Sequence, residues 1–130
     1  MKKRVLLVED DPGTIDVMCQ ELSFLGYEVI LARNGAEALE KASAETPDII
    51  VMDIRLPRMD GFQAMTGLRS NSHTRSIPVL ASTAMAMPGD KEKCLAAGFN
   101  GYIAKPFTHK ELGVALKDLL KNGPDERVSG

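Results

Sequence analysis

Apolar and polar positions along this chain fall into blocks that repeat. Val5 to Val8 is an unbroken apolar run, the pattern of a strand whose sheet is covered on both faces. After Pro12, a favoured first helical residue, Ile15, Met18, Cys19, Leu22 and Leu25 recur at helical spacing up to Gly26. Tyr27 to Ala32 then reads as a second strand, and Asn34 can cap a helix whose Ala38, Leu39 and Ala42 face inward before Pro47. A third strand, Ile49 to Met52, runs without alternation into Asp53. Turns at Leu56-Pro57 and Asp60-Gly61 lead to a helix from about Gly61 to Ser70, with Phe62, Met65 and Leu68 on one side. "IPVLAS" (Ile77 to Ser82) is the fourth strand and Pro88 to Ala97 the fourth helix, stopped by Gly98. "GYIA" (Gly101 to Ala104) is a short fifth strand, and Thr108 caps a last helix carrying Leu112, Ala115, Leu116 and Leu119. From Asn122 the sequence "NGPDERVSG" carries no apolar period, so residues 1–121 are expected to form the domain and 122–130 a flexible tail.

Strands alternating with helices through short connections require a parallel sheet with helices on both faces, because right-handed crossovers place them there. The predicted class is therefore α/β, a doubly wound five-stranded parallel sheet. Ligands of such sheets bind beyond the carboxyl ends of the strands.

Totals narrow the picture. At 130 residues and 14.1 kDa there is room for one domain, and 44% hydrophobic with 26% charged residues is an ordinary globular balance. The formal charge is -2 and the basic residues are scattered, which argues against a nucleic-acid partner. "MKKRVLLV" starts like a signal peptide, but Glu9-Asp10-Asp11 cuts the apolar run far short of an h-region, so a cytoplasmic protein without a membrane span is expected. Cys19 and Cys94 stand far apart in predicted helices and read as free thiols. His73 and His109 read as solvated side chains.

The strand ends carry the chemistry. Glu9, Asp10 and Asp11 follow the first strand, Asp53 the third, Ser82 and Thr83 the fourth, and Lys105 the fifth. A single carboxylate at a strand end is unremarkable, since strands turn polar on leaving a core; the joint occurrence is what points to a site. Glu9, Asp10 and Asp53 sharing one cleft would repel one another unless a cation offset the charge, and Mg2+ suits a few hard oxygens plus phosphate. A cation, a lysine and a hydroxyl around Asp53 would equip it to receive a phosphoryl group as nucleophile.

These residues also carry a resemblance. "VLLVEDD", "DIIVMDIRLPRMDG", "STA" and "KPF", in this order and spacing, resemble the CheY-like receiver domain of two-component response regulators over about Lys3 to Lys121. The resemblance implies a (βα)5 flavodoxin-like fold of strand order 2-1-3-4-5, with Glu9 and Asp10 as the acid pair and Asp53 as phosphoacceptor. It implies Mg2+ held by Glu9, Asp10, Asp53 and the Arg55 backbone carbonyl, with Asp11 just outside. Thr83 is then the switch hydroxyl, Tyr102 the aromatic switch position and Lys105 the active-site lysine, entering through a cis Lys105-Pro106 bond. "TAMAMPGDKEKCLAAGFNGYIAKPF" is similar to stand-alone regulators of cell-cycle phosphorelays and to receivers of hybrid histidine kinases.

Implied partners are a sensor histidine kinase or histidine phosphotransfer protein, and a downstream protein bound through helix 4, strand 5 and helix 5. The domain would be a monomer or a weak phosphorylation-dependent dimer. Its chemistry would be self-phosphorylation and, at most, autodephosphorylation. Lys91, Cys94, Phe107 and Glu111 are expected to set the choice of target, and the first helix near Ile15, Met18 and Cys19 the choice of kinase. Arg55 and Met85 would flank the path of a hydrolytic water. A magnesium-dependent phosphatase with an aspartate nucleophile is disfavoured because Arg55 stands where a second aspartate is needed as acid. A flavodoxin-like phosphate cradle is disfavoured by the acids after the first strand.

Overall fold

A computed structural model describes residues 2–56, 59–84 and 87–121. Five strands and five helices alternate: β1 (Arg4–Val8), α1 (Pro12–Phe24), β2 (Glu28–Ala32), α2 (Gly35–Glu45), β3 (Ile49–Asp53), α3 (Gly61–Ser70), β4 (Val79–Thr83), α4 (Asp90–Ala96), β5 (Gly101–Ala104) and α5 (His109–Lys121). All pairings are parallel and the strand order is β2-β1-β3-β4-β5. The order reverses between β1 and β3, so the carboxyl ends of those two strands open the crevice.

The unbroken apolar runs sort onto the two faces of the sheet with a period of two. Leu6, Val8, Ile50 and Met52 join Ala38, Ala42, Ala64, Met65, Leu68 and Cys94 in the core under α2, α3 and α4. Val5, Leu7, Ile49 and Val51 join Met18, Leu22, Leu112 and Leu116 in the core under α1 and α5. Each such aliphatic side chain contributes about 1.5–3 kcal/mol by leaving water, which is why β3 tolerates no polar residue before Asp53.

Helix starts follow local chemistry. Asp11, Asn34 and Asp60 each accept a hydrogen bond from a first-turn N–H, and Asp60 with Gln63 closes a reciprocal box. Thr108 Oγ1 accepts from the Glu111 N–H at 3.0 Å, and Glu111 Oε1 accepts from the Thr108 N–H at 2.8 Å, so α5 is capped as its sequence predicts.

Boundaries shift at three places. Tyr27 is buried but precedes β2, and β4 runs from Val79 to Thr83, two residues beyond Ile77 and one beyond Ser82. α4 begins at Asp90, because Pro88 and Gly89 form a turn whose Met87 N–H is held by Asp90 Oδ2 at 2.8 Å. Gly98 ends the α4 segment at φ +107°, a conformation open to glycine. The predicted tail 122–130 lies outside the described residues.

Candidate phosphoacceptor site

Three strand ends and one loop build the site. β1 delivers Glu9 and Asp10, and one carboxylate oxygen each from Glu9, Asp10 and Asp53 lies within 4.8 Å of the others. Glu9 is buried and Asp10 exposed, while the Asp53 side chain keeps only 12% of its surface in contact with solvent. Lys105, just beyond β5, places Nζ 2.8 Å from Glu9 Oε1 and 3.8 Å from Asp53 Oδ2. The Lys105-Pro106 bond is cis.

Asp53 is oriented by its own loop. The Arg55 N–H donates to Asp53 Oδ1 at 2.8 Å, leaving Oδ2 on the lysine side. Gly61 fits that loop because a Cβ there would stand 2.7 Å from Ile54 Cα, and its N–H donates to the Ile54 carbonyl at 3.1 Å. Burial pushes the Asp53 carboxyl up to about 6; the Arg55 N–H and Lys105 lower it, and the neighbouring Glu9 charge raises it. A carboxylate so raised is a more basic and more nucleophilic oxygen than an exposed one.

Asp11 does different work from its neighbours. It accepts from Thr14 N and Thr14 Oγ1, both at 2.9 Å, and those bonds hold its carboxyl below the usual range. It is the cap of α1, as its place immediately before Pro12 allowed. Thr83 is fully buried at the end of β4, where its carbonyl accepts from the Lys105 N–H at 2.7 Å. Tyr102 pairs with Ala81 across β4 and β5, and its half-buried ring packs on the core that contains Met65 and Cys94. A cleft of about 600 Å3 opens beside Asp10, lined also by Arg55, Phe62 and Lys93. Met85 lies outside the described residues.

The donor set fits a hard divalent cation. Glu9, Asp10 and Asp53 supply carboxylate oxygens, and the single close lysine leaves the cluster with surplus negative charge.

Residues 5–117 match the response regulator receiver domain family. The chain belongs to this family. It is 41% identical over 120 residues to the polar-differentiation response regulator DivK of Brucella anthropi, covering 92% of this chain and 98% of that one. Among solved structures it is similar to the receiver domain of a sensor histidine kinase from Pseudomonas aeruginosa PAO1, which has a magnesium ion coordinated in its active-site cleft. That match has 40% identity and a TM-score of 0.87, covering 94% of this chain and 100% of that one. A chemotaxis response regulator of Vibrio cholerae matches at 32% identity and a TM-score of 0.83, with 91% and 98% coverage. The protein is thus a receiver of two-component signalling, a class that interacts with histidine kinases and downstream targets and is not a classical enzyme.

Several expected partner-contact residues are corrected by the fold. Cys94 has 0% exposure, since it sits on the inner face of α4, and Leu95 is the exposed apolar residue beside it. Ile15 and Met18 are likewise buried under α1, where Val17 is exposed. His73 and His109 are exposed, and both cysteines are free. No helix among the described residues is long and apolar enough to cross a membrane. The hold of Lys105 on Glu9 and the capping role of Asp11 were not singled out by the strand-end pattern; the Asp-Pro step at 11–12 was the available signal for the second.

Proposed function

We propose that Asp53 accepts a phosphoryl group from a phosphohistidine of a kinase or histidine phosphotransfer protein. The domain, residues 1–121, then works in the cytoplasm by changing its protein contacts. The observation that supports this reading is the convergence of Glu9, Asp10 and Asp53 oxygens within 4.8 Å beside the Lys105 ammonium. An Asp53 oxygen attacks phosphorus as the N–P bond of the donor breaks, and the electron pair of that bond returns to the imidazole nitrogen. Glu9, Asp10, Asp53 and the Arg55 backbone carbonyl would hold Mg2+, which supplies neutralisation of phosphoryl charge when bound.

The remaining work falls to the chain itself. Lys105, already 3.8 Å from Asp53, exchanges its contact with Glu9 for one with a phosphoryl oxygen. The Arg55 N–H keeps the Asp53 carboxylate aimed. Thr83 donates its hydroxyl to another oxygen, and Tyr102 follows into the space vacated, which biases the surface of α4, β5 and α5 between two arrangements. Lys91, Phe107 and Glu111 on or beside that surface then contact the target.

Incubation with MgCl2 and acetyl phosphate, read by intact mass, tests the reading. Wild type gains one phosphoryl group and Asp53→Asn gains none; equal labelling of the two proteins would refute Asp53 as acceptor.

A further inference from the structure

We propose that a second copy of this chain docks on the outward face of α1 and α5, forming a two-fold dimer that does not depend on phosphorylation. Three of the five exposed large apolar side chains among the described residues sit on these two helices: Val17 and Phe24 on α1, 54% and 76% exposed, and Val114 on α5, 54% exposed. Between Val17 and Phe24 stands Glu21, whose Oε2 is buried with no hydrogen-bond partner among the described residues. It borders a hollow of about 300 Å3 whose other walls are Gln20, Phe24 and His109, and His109 already lies edge-on against the Phe24 ring with 5.4 Å between centroids. A carboxylate oxygen removed from water without a donor is costly, so the hollow suits a cation supplied from outside the fold.

The matching stripe on α5 is basic. Val114, Lys117 and Lys121 stand at i, i+3 and i+7 and share the exposed side of the helix, and neither lysine makes an ion pair among the described residues. α1 carries no basic residue at all.

The two stripes also agree in spacing. Val17, Glu21 and Phe24 are separated by four residues and then three; Lys121, Lys117 and Val114 are separated by four and then three in the reverse sense. α1 and α5 cover the same face of the sheet and each packs between parallel strands, so they point the same way. A two-fold axis normal to their shared surface therefore sets each helix antiparallel to the partner's other one. Within one chain Phe24 meets His109, and a Cβ on Gly113 would stand 3.2 Å from Leu25, so the end of α1 is level with the first half of α5. An axis at that level puts Phe24 against the partner's Val114, Glu21 against the partner's Lys117, and Val17 against the stem of the partner's Lys121, in steps of about 4.5–6 Å along the helices.

Each contact then occurs twice, as an isologous interface requires of a single patch. Two stripes of one chain that match in charge, size and spacing identify the occupant as another copy, since an unrelated partner would need only one of them. Tyr102 packs on the opposite face of the sheet, which leaves the contact independent of the switch.

Sedimentation velocity of the full chain from about 10 µM to about 1 mM, in EDTA and without phosphodonor, is expected to show a monomer-dimer equilibrium that is the same in Asp53→Asn. Lys117→Glu and Glu21→Lys are each expected to weaken dimerisation by about tenfold or more, and the double swap to restore it to within about threefold. Phe24→Ser, at an exposed site, is expected to weaken it likewise, so the result does not hang on the fold of any one variant; circular dichroism checks each. Dilution of wild type is expected to move amide NMR signals of α1 and α5.

A monomer across the whole range overturns the proposal, as does a dimer indifferent to Lys117→Glu and Phe24→Ser, a folded double swap that stays monomeric, or loss of the dimer in Asp53→Asn. Dilution shifts confined to α4 and β5 overturn it too, by moving the contact elsewhere. Co-sedimentation with phosphatidylglycerol vesicles that Lys117→Glu abolishes, without self-association, would make the stripe a lipid contact and overturns it equally.

Discussion

Replacing Asp53 by asparagine is expected to stabilise the protein at neutral pH and leave it unchanged in acid. The Asp53 carboxyl is raised from 3.8 to about 6, chiefly by burial. Because the folded value lies above the unfolded one, the native state holds the proton more tightly between about pH 4 and 6, so stability falls as pH rises through that window. Above pH 6 the full cost is present: about two pKa units at 1.36 kcal/mol each, or about 3 kcal/mol. Asparagine is the neutral shape of the same side chain, and its oxygen can still accept from the Arg55 N–H, while Lys105 keeps its contact with Glu9. Urea denaturation of both proteins at pH 4, 5, 6, 7 and 8, in buffer containing EDTA, measures the gap. It is expected to be near zero at pH 4 and about 3 kcal/mol at pH 8, roughly ten degrees in Tm for a chain of this size. A gap that does not change with pH, or a wild type more stable than Asp53→Asn at pH 8, would refute the electrostatic account of the site.

MgCl2 is expected to raise the Tm of wild type, by about 2.7 kcal/mol of stabilisation at a hundred times its Kd, and to do much less for Asp10→Asn, whose exposed side chain makes little difference in EDTA; calorimetry with and without the ion reads both. Arg69 donates to the carbonyls of Arg75, Ile77 and Gly98 and to Asn100 Oδ1, all at 2.7–2.9 Å, tying α3 to the loop before β4 and to the connection between α4 and β5. Arg69→Ala is expected to cost roughly 2–4 kcal/mol in urea unfolding, and Arg69→Lys to recover little because an ammonium cannot span that fork. Arg55 is exposed beside Asp53, so Arg55→Ala is expected to speed loss of the phosphoryl group, and an unchanged decay in a phosphate-release assay would count against a shielding role.

How much of this could be read before the fold was known depended on the reach of each interaction. β3 announced itself because burial on both faces demands an unbroken apolar run, and the same run forced Asp53 to the mouth of the sheet. Asn34 and Thr108 were legible as caps because the bond they make spans three residues. The meeting of Lys105 with Glu9 spans 96 positions and follows from strand order, so the sequence could place both at strand ends but could not pair them. Periodicity also could not tell the inner from the outer side of a short helix. Cys94 was expected at a partner surface, yet seven-residue α4 has too few turns to define a face, and packing against β4 and β5 turned the thiol inward. Arg69 gave no signal at all, since a lone charge in a helical repeat looks like any solvated one until its neighbours are known.

The N-terminal capping by Asp11 changes how genetics on this protein will have to be interpreted. Three consecutive acids divide three jobs: one grips a lysine, one faces solvent at the cleft, and one fastens a helix. A silenced phenotype from Asp11→Ala would report a loosened α1, not a missing ligand. Asparagine, which caps as well as aspartate, separates the two explanations at a single codon.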